Sequence, residues 1–140
     1  MPVAVSDFSH VRLTVRDIDV SRAFYDSIFG FDVAFELPPN PDEKTQEELA
    51  FLFGGVIYQF GGGLLGLRPV APGDDHFHED RTGLDHLSFS VTDLDALHAA
   101  AALLDDLGVA HEGVKDIGAG SILEFRDPDN IALELMAPNS

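Results

Sequence analysis

The sequence contains one stretch twice. HVRLTVRDID begins at His10 and HLSFSVTDLD begins at His86, an offset of 76 residues that holds without a gap across ten positions. In each copy a valine stands five residues after the histidine and an Asp-x-Asp step closes the segment, Asp17 and Asp19 in the first, Asp93 and Asp95 in the second. A helical pattern follows both copies and runs into a glycine step, FGFDV at Phe29 to Val33 and LGVAH at Leu107 to His111. An internal duplication constrains the architecture first, because the fold of one copy is the fold of the other. With 140 residues the chain has length for one sizeable core and not for two. The expectation is a single domain, 1–140, in which module one (about 6–68) and module two (84–138) share a core across a connection at 69–83.

Charge and cysteine usage remove several classes of function. Against 25 acidic side chains stand 8 basic ones, a net charge of -17, which repels a phosphate backbone and an anionic membrane alike. The expected partner is a small molecule. With no cysteine in the chain there are no disulfides, thiolate nucleophiles or cysteine-ligated zinc and iron-sulfur sites, so any metal is held by histidine and carboxylate. No apolar segment approaches the roughly 18 residues of a membrane span, and MPVAVSDFSH has neither the basic nor the apolar region of a signal peptide. A soluble, cytoplasmic protein is expected.

Period-two alternation in HVRLTV puts Val11, Leu13 and Val15 on one face of a strand and His10, Arg12 and Thr14 on the other. Asp17 to Asp19 has the chemistry of a helix N-terminus, Val20, Phe24 and Ile28 recur at helical spacing, and Gly30 suits the C-terminal cap. FDVAFEL (Phe31 to Leu37) reads as the second strand. The Pro-rich, charged stretch Pro38 to Glu48 reads as a loop with room for a short helical turn, and as a mobile lid. Leu49 to Phe60 is strongly apolar, and Gly61 to Gly63 marks a tight turn into LLGL. Module two repeats this order: Leu87, Phe89 and Val91 form an apolar strand face, and Leu94, Leu97, Ala101 and Leu104 a helical stripe. VAHEGV is expected as a strand, and DPDN as the turn of a hairpin between SILEF and IALELM. The fold class is thus α+β, two βαβββ modules pairing into an open, barrel-like mixed sheet. The polar strand faces carry His10, His86 and Glu134 toward a cleft, with the two histidines at positions equivalent under the duplication.

On HVRLTV, GLDHLSFSV, FYDSIFGF and FRDPDNIALEL, the chain resembles the vicinal oxygen chelate superfamily, which includes glyoxalase I, extradiol dioxygenases, fosfomycin-modifying thiol transferases and bleomycin-resistance proteins. The resemblance covers nearly all of the chain. It implies that His10, His86 and Glu134 bind a divalent metal, with the paired sheets forming the metal cleft, and that the protein is a homodimer, its modules pairing within one chain or swapped between two. Two imidazoles and a carboxylate leave open positions and suit Fe(II), with Mn(II), Ni(II), Zn(II) or Co(II) as alternatives.

Relatives of the glyoxalase type take a further Glu or Gln ligand from the last strand of module one. Here that strand is LLGLR, and Glu134 is matched by Gly66 or Leu67, neither of which ligates through a side chain. Three protein ligands point first to Fe(II) extradiol-dioxygenase-type chemistry. The alternatives are a glyoxalase-like lyase or isomerase or a thiol transferase with Ni, Zn or Mn, and a resistance protein that sequesters a drug without catalysis. Tyr58 is the candidate for proton transfer, with His76 or His78 as substitutes if their loop covers the cleft, and Arg12, Gln59 and Ser88 as candidates to orient a substrate. Phe8, Phe51, Phe53 and Phe125 would give an apolar wall, and His98 and His111 are read as structural.

Overall fold

The computed structural model describes residues 1–139. The chain divides into two compact units, Met1–Gly73 and a second from Asp74 onward. In the first, β1 (His10–Thr14), α1 (Ile18–Ile28), β2 (Asp32–Glu36), α2 (Glu43–Glu48), β3 (Val56–Phe60) and β4 (Gly63–Arg68) follow in chain order, with a 3-10 turn at Ala50–Leu52. In the second, β5 (Leu87–Ser90), α3 (Leu94–Asp106), β6 (Lys115–Asp116), β7 (Ser121–Arg126) and β8 (Ala132–Ala137) repeat the series. Each unit is one four-stranded mixed sheet of the same topology, β1-β4-β3-β2 and β5-β8-β7-β6, in which the first strand runs parallel to the last and the other pairs are antiparallel. The two expected βαβββ modules and the α+β class are borne out.

The duplicated aspartates explain why both strands turn into helices at the same place. Asp17, in extended conformation, accepts the amides of Asp19 and Val20, and Asp93 accepts that of Ala96. Each satisfies amides that a helix start leaves free. On the strands before them, Leu13 and Val15 are buried as the alternation requires. In α3 the buried residues are Leu97 and Leu104, on the expected stripe.

Helix α1 has the expected period in a different phase. Ser21 and Tyr25 are its buried residues, whereas Val20 is 52% exposed. The small Ser21 lets the helix lie close to the sheet, and Tyr25 then supplies the apolar contact that the more hydrophobic Val20 was expected to make. Downstream of α3 the expected strand VAHEGV is reduced to a single bridge, His111 to Phe125, and the paired strand is the two-residue β6. His111 bonds Asp105 at 2.7 Å and accepts from the Gly113 amide at 3.1 Å, and Gly113 has φ +77°, so the backbone leaves the extended path there. The DPDN turn is present: Asp127 accepts the amides of Asp129 and Ile131, both at 2.8 Å.

Strand register decides the alignment that the Gly61 to Gly63 turn left open. Arg12 lies opposite Gly66 and Ser88 lies opposite Glu134. Arg12 and Ser88 are duplicate positions, so Gly66 is the duplicate of Glu134. One strand further in, Ile57 pairs with Gly66 and Glu124 pairs with Glu134, which makes Ile57 and Glu124 duplicates too.

Candidate metal centre and its duplicate

In the second unit His86 immediately precedes β5 and Glu134 sits in the middle of β8. Their side chains meet, with His86 Nε2 3.6 Å from Glu134 Oε2. Each is held from behind: His86 Nδ1 lies 2.7 Å from Asp85 Oδ1, and Ser88 Oγ donates to Glu134 Oε1 at 2.8 Å. A carboxylate accepts only, so the imidazole proton belongs on Nδ1 and the Nε2 lone pair is left facing Glu134. The bond to Asp85 raises the His86 pKa above its ordinary value, and the charge of Glu134 adds to this against the opposing effect of desolvation.

This donor set fits a divalent ion. Two ligands about 2.1 Å from one ion stand about 3.4 Å apart at the tetrahedral angle, close to the observed spacing. Imidazoles that bind metals typically give their other nitrogen to a carboxylate, the role that Asp85 is placed to fill. The pair opens on a cavity of about 270 Å³, which Glu79, Glu124 and Arg126 also line. Arg126 grips Glu79 with two bonds of 2.7 and 3.0 Å, and this bond pulls the Glu79 pKa down to about 2.

In the first unit His10 begins β1, exposed, with Nδ1 2.8 Å from Ser9 Oγ. Two residues along the same face, Arg12 lies across Gly66: a Cβ on that glycine would stand 2.9 Å from Arg12 Cγ. The guanidinium donates through Nη2 to the Phe51 carbonyl, while its Nε is buried without a partner. Among the described residues no carboxylate pairs with it. His10, Arg12, Phe51, Ile57, Leu64 and Gly66 line a cavity of about 250 Å³.

The structure brings His86 and Glu134 together in one unit and places His10 in the other. Among the described residues no three His, Asp or Glu side chains form a complete metal cluster. Tyr58 requires a correction. It is 1% exposed, and its hydroxyl donates to Asp26 of α1 at 2.8 Å. Burial and that bond push its pKa up. Its neighbour Ile57 is the residue that lines the cavity, so Tyr58 faces the helix and is not a proton-transfer group for the His10 cavity.

Of the expected apolar wall, Phe51 and Phe125 line cavities, in the first and second units respectively. Phe53 instead packs under the Arg68 guanidinium at 4.2 Å, and Phe8 is 78% exposed. Gln59, His76, His78 and His98 are exposed. Sequence reasoning missed Asp85, whose adjacency to His86 was the available signal. It also missed the Glu79–Arg126 pair, 47 residues apart, for which the sequence has none.

The family model of the Glyoxalase/Bleomycin resistance protein/Dioxygenase superfamily matches residues 7–135. Among proteins of curated function, none matches the sequence. Of solved structures, a glyoxylase/bleomycin resistance protein/dioxygenase domain from Frankia sp. EAN1pec is 34% identical, with a TM-score of 0.77 over 98% of this chain and 95% of its own. The fosfomycin resistance protein FosX from Listeria monocytogenes, in a mutant complexed with Mn(II) and 1S,2S-dihydroxypropylphosphonic acid, is 18% identical with a TM-score of 0.70, over 97% of this chain and 93% of its own. Lactoylglutathione lyase from Agrobacterium tumefaciens is 18% identical with a TM-score of 0.68, over 95% and 94%. The last two likenesses are of fold alone.

Proposed function

The chain belongs to the Glyoxalase/Bleomycin resistance protein/Dioxygenase superfamily, and from that premise we propose that it is a divalent-metal-dependent enzyme acting as one domain on a small molecule that chelates through adjacent oxygens. His10, His86 and Glu134 hold the ion. The observation that carries this reading is the His86–Glu134 pair, in which Asp85 and Ser88 each fix one atom and leave the other free for a ligand. When bound, the ion supplies Lewis acidity and a template for the substrate oxygens. In the neutral imidazole of His86 the bond to Asp85 fixes the proton on Nδ1 and makes Nε2 the ligating nitrogen. Glu134 is 9% exposed, and the Ser88 hydroxyl donates to its Oε1.

Gly66 at the duplicate position of Glu134 provides no fourth ligand and no metal-bound base. Three protein ligands with open positions favour Fe(II) and extradiol-dioxygenase-type chemistry. The second reading is an oxygen-independent lyase, isomerase or thiol transferase with Mn(II), Ni(II) or Zn(II). The Mn(II) in the FosX structure, a protein of the same fold, supports that reading. The third is stoichiometric ligand binding without catalysis.

The deciding experiment is metal content after anaerobic purification, for wild type and His86→Ala. About one Fe per chain in wild type, absent from the variant, followed by oxygen uptake with catechols, supports the dioxygenase. Mn, Ni or Zn sends the assays to the second reading, and no metal even after reconstitution overturns the catalytic proposal. Glu134→Ala that keeps full ligand affinity without metal supports sequestration. The working form is a cytoplasmic homodimer: Val3, Val5 and Phe8 are 87%, 79% and 78% exposed in the single chain, apolar surface that a second copy would cover. A single-chain mass by light scattering overturns the dimer.

A further inference from the structure

We propose that the substrate carries an oxyanion group, of the carboxylate or phosphonate type, and that Arg12 is the residue that selects it. The proposal deepens the metal reading by naming the substrate class, and it stands on the residues of the first cavity alone.

The duplication makes the argument, because it gives each residue of the first cavity a counterpart. In the second unit the equivalent face presents Ser88, Glu124 and Glu134. In the first it presents Arg12, Ile57 and Gly66. Two carboxylates are replaced by an isoleucine and a glycine, and a hydroxyl by a guanidinium. The strand face that carries two carboxylates in one copy carries a guanidinium and none in the other.

The local packing explains how. Gly66 leaves empty the space that a side chain would fill, and the Arg12 stem crosses that space. Nη2 is tethered to the Phe51 carbonyl, so the guanidinium is fixed at one wall of the cavity. Nε is buried and unpaired, a donor left without an acceptor.

Acidic side chains outnumber basic ones 25 to 8 in this chain, and Arg22, Lys44, Lys115 and Arg126 each pair with a glutamate. Among the described residues Arg12 has none, although acceptors are plentiful. A guanidinium gives an oxyanion charge-assisted hydrogen bonds. Besides His10, the remaining side chains of the wall, Val11, Phe51, Ile57 and Leu64, are apolar. At about 250 Å³ the cavity is smaller than the roughly 300–1,000 Å³ of drug-sized sites. A small organic acid with a compact apolar body suits that space.

The test compares matched probes by anaerobic calorimetric titration on protein whose metal content is measured in the same preparation. The pairs are catechol against 3,4-dihydroxybenzoate and 1,2-propanediol against 1,2-dihydroxypropylphosphonate, which separate the carboxylate from the phosphonate. Wild type should bind the anionic member of one pair about tenfold or more tighter than its neutral partner, the scale of hydrogen bonds to a charged group. Arg12→Gln should reduce that ratio to near unity with metal content unchanged, and Arg12→Lys should keep part of it. Gly66→Ala, whose Cβ would stand 2.9 Å from Arg12 Cγ and push the stem aside, should lower it as well, and decides the matter if Arg12→Gln does not fold. Equal affinities within both pairs on wild type, or a preference that survives Arg12→Gln, overturns the proposal. His86→Ala separates it from the metal reading: the ratio of the anionic to the neutral probe should stay even where the metal content falls.

Discussion

Ser88 and Asp85 touch the candidate ligands from behind, and their effect should be graded rather than absolute. Removing the Ser88 hydroxyl leaves Glu134 free to rotate, so Ser88→Ala should weaken metal binding by about 10–100-fold while the protein stays folded. A competition titration against a chelator of known affinity would read this, and an unchanged affinity would mean that Glu134 is held by its strand alone. Tyr58 makes the opposite case. Its hydroxyl serves Asp26 and not the cavity, so Tyr58→Phe should cost about 1 kcal/mol of stability and leave probe affinity untouched. A loss of affinity at full stability would restore a functional role to Tyr58. Glu79 sets a pH dependence. Arg126 lowers its pKa from 4.5 to about 2 in the folded state, so the pair stabilises the fold fully above pH 4.5 and loses that contribution as pH falls toward 2. Urea midpoints measured from pH 7 down to pH 2.5 should show wild type above Glu79→Gln at neutral pH and the two converging in acid. A constant gap across the range would assign the difference to packing.

Strands and helices show where the sequence carried the fold and where it could not. The alternation of Leu13 and Val15, the capping aspartates and the DPDN turn are local chemistry, and each is where it was expected. Helix α1 was out of phase because hydrophobicity ranks Val20 above Ser21, whereas the close helix-to-sheet approach selects the smaller side chain. The parity of β3 was hidden by what precedes it: Phe53 at φ +52° and Gly54 at φ +82° are both left-handed, so counting by twos from upstream cannot say whether Ile57 or Tyr58 faces the cavity. His86 was legible because it lies on the repeated pattern, and Glu134 because it falls on the strand face opposite Leu133 and Leu135. Arg12 was visible as a residue but not as a replacement for a carboxylate, which needed the register of β1 on β4. That register also depends on Gly55, where a Cβ would stand 1.9 Å from the Leu67 carbonyl oxygen. Backbone cannot yield as a flexible side chain can. Gly55→Ala should therefore cost at least the upper part of the roughly 1–3 kcal/mol range of overpacking. It should also disturb the hairpin that carries Ile57 and Gly66, which hydrogen exchange of the β3 and β4 amides would detect. Native exchange rates with lost stability would place the disturbance in the 3-10 turn instead.

For the whole molecule the net charge of -17 opposes the ligand that the first cavity is proposed to take. The two effects act over different distances and so respond differently to salt. The summed charge acts over the Debye length, about 30 Å at 0.01 M salt and about 8 Å at 0.15 M, and is largely screened at the higher value. Contact with Arg12 occurs in a partly desolvated cavity, where screening is weaker. Raising salt from 0.01 to 0.15 M should therefore speed the association of an anionic probe while changing its dissociation little, and should leave a neutral probe of the same size unaffected. Stopped-flow binding of 3,4-dihydroxybenzoate and catechol to the metal-loaded protein reads all four rates. An association rate that falls with salt for the anion alone would give the opposite balance: the Arg12 cation would then dominate the field along the approach, and the acidic surface would act on solubility and not on ligand capture.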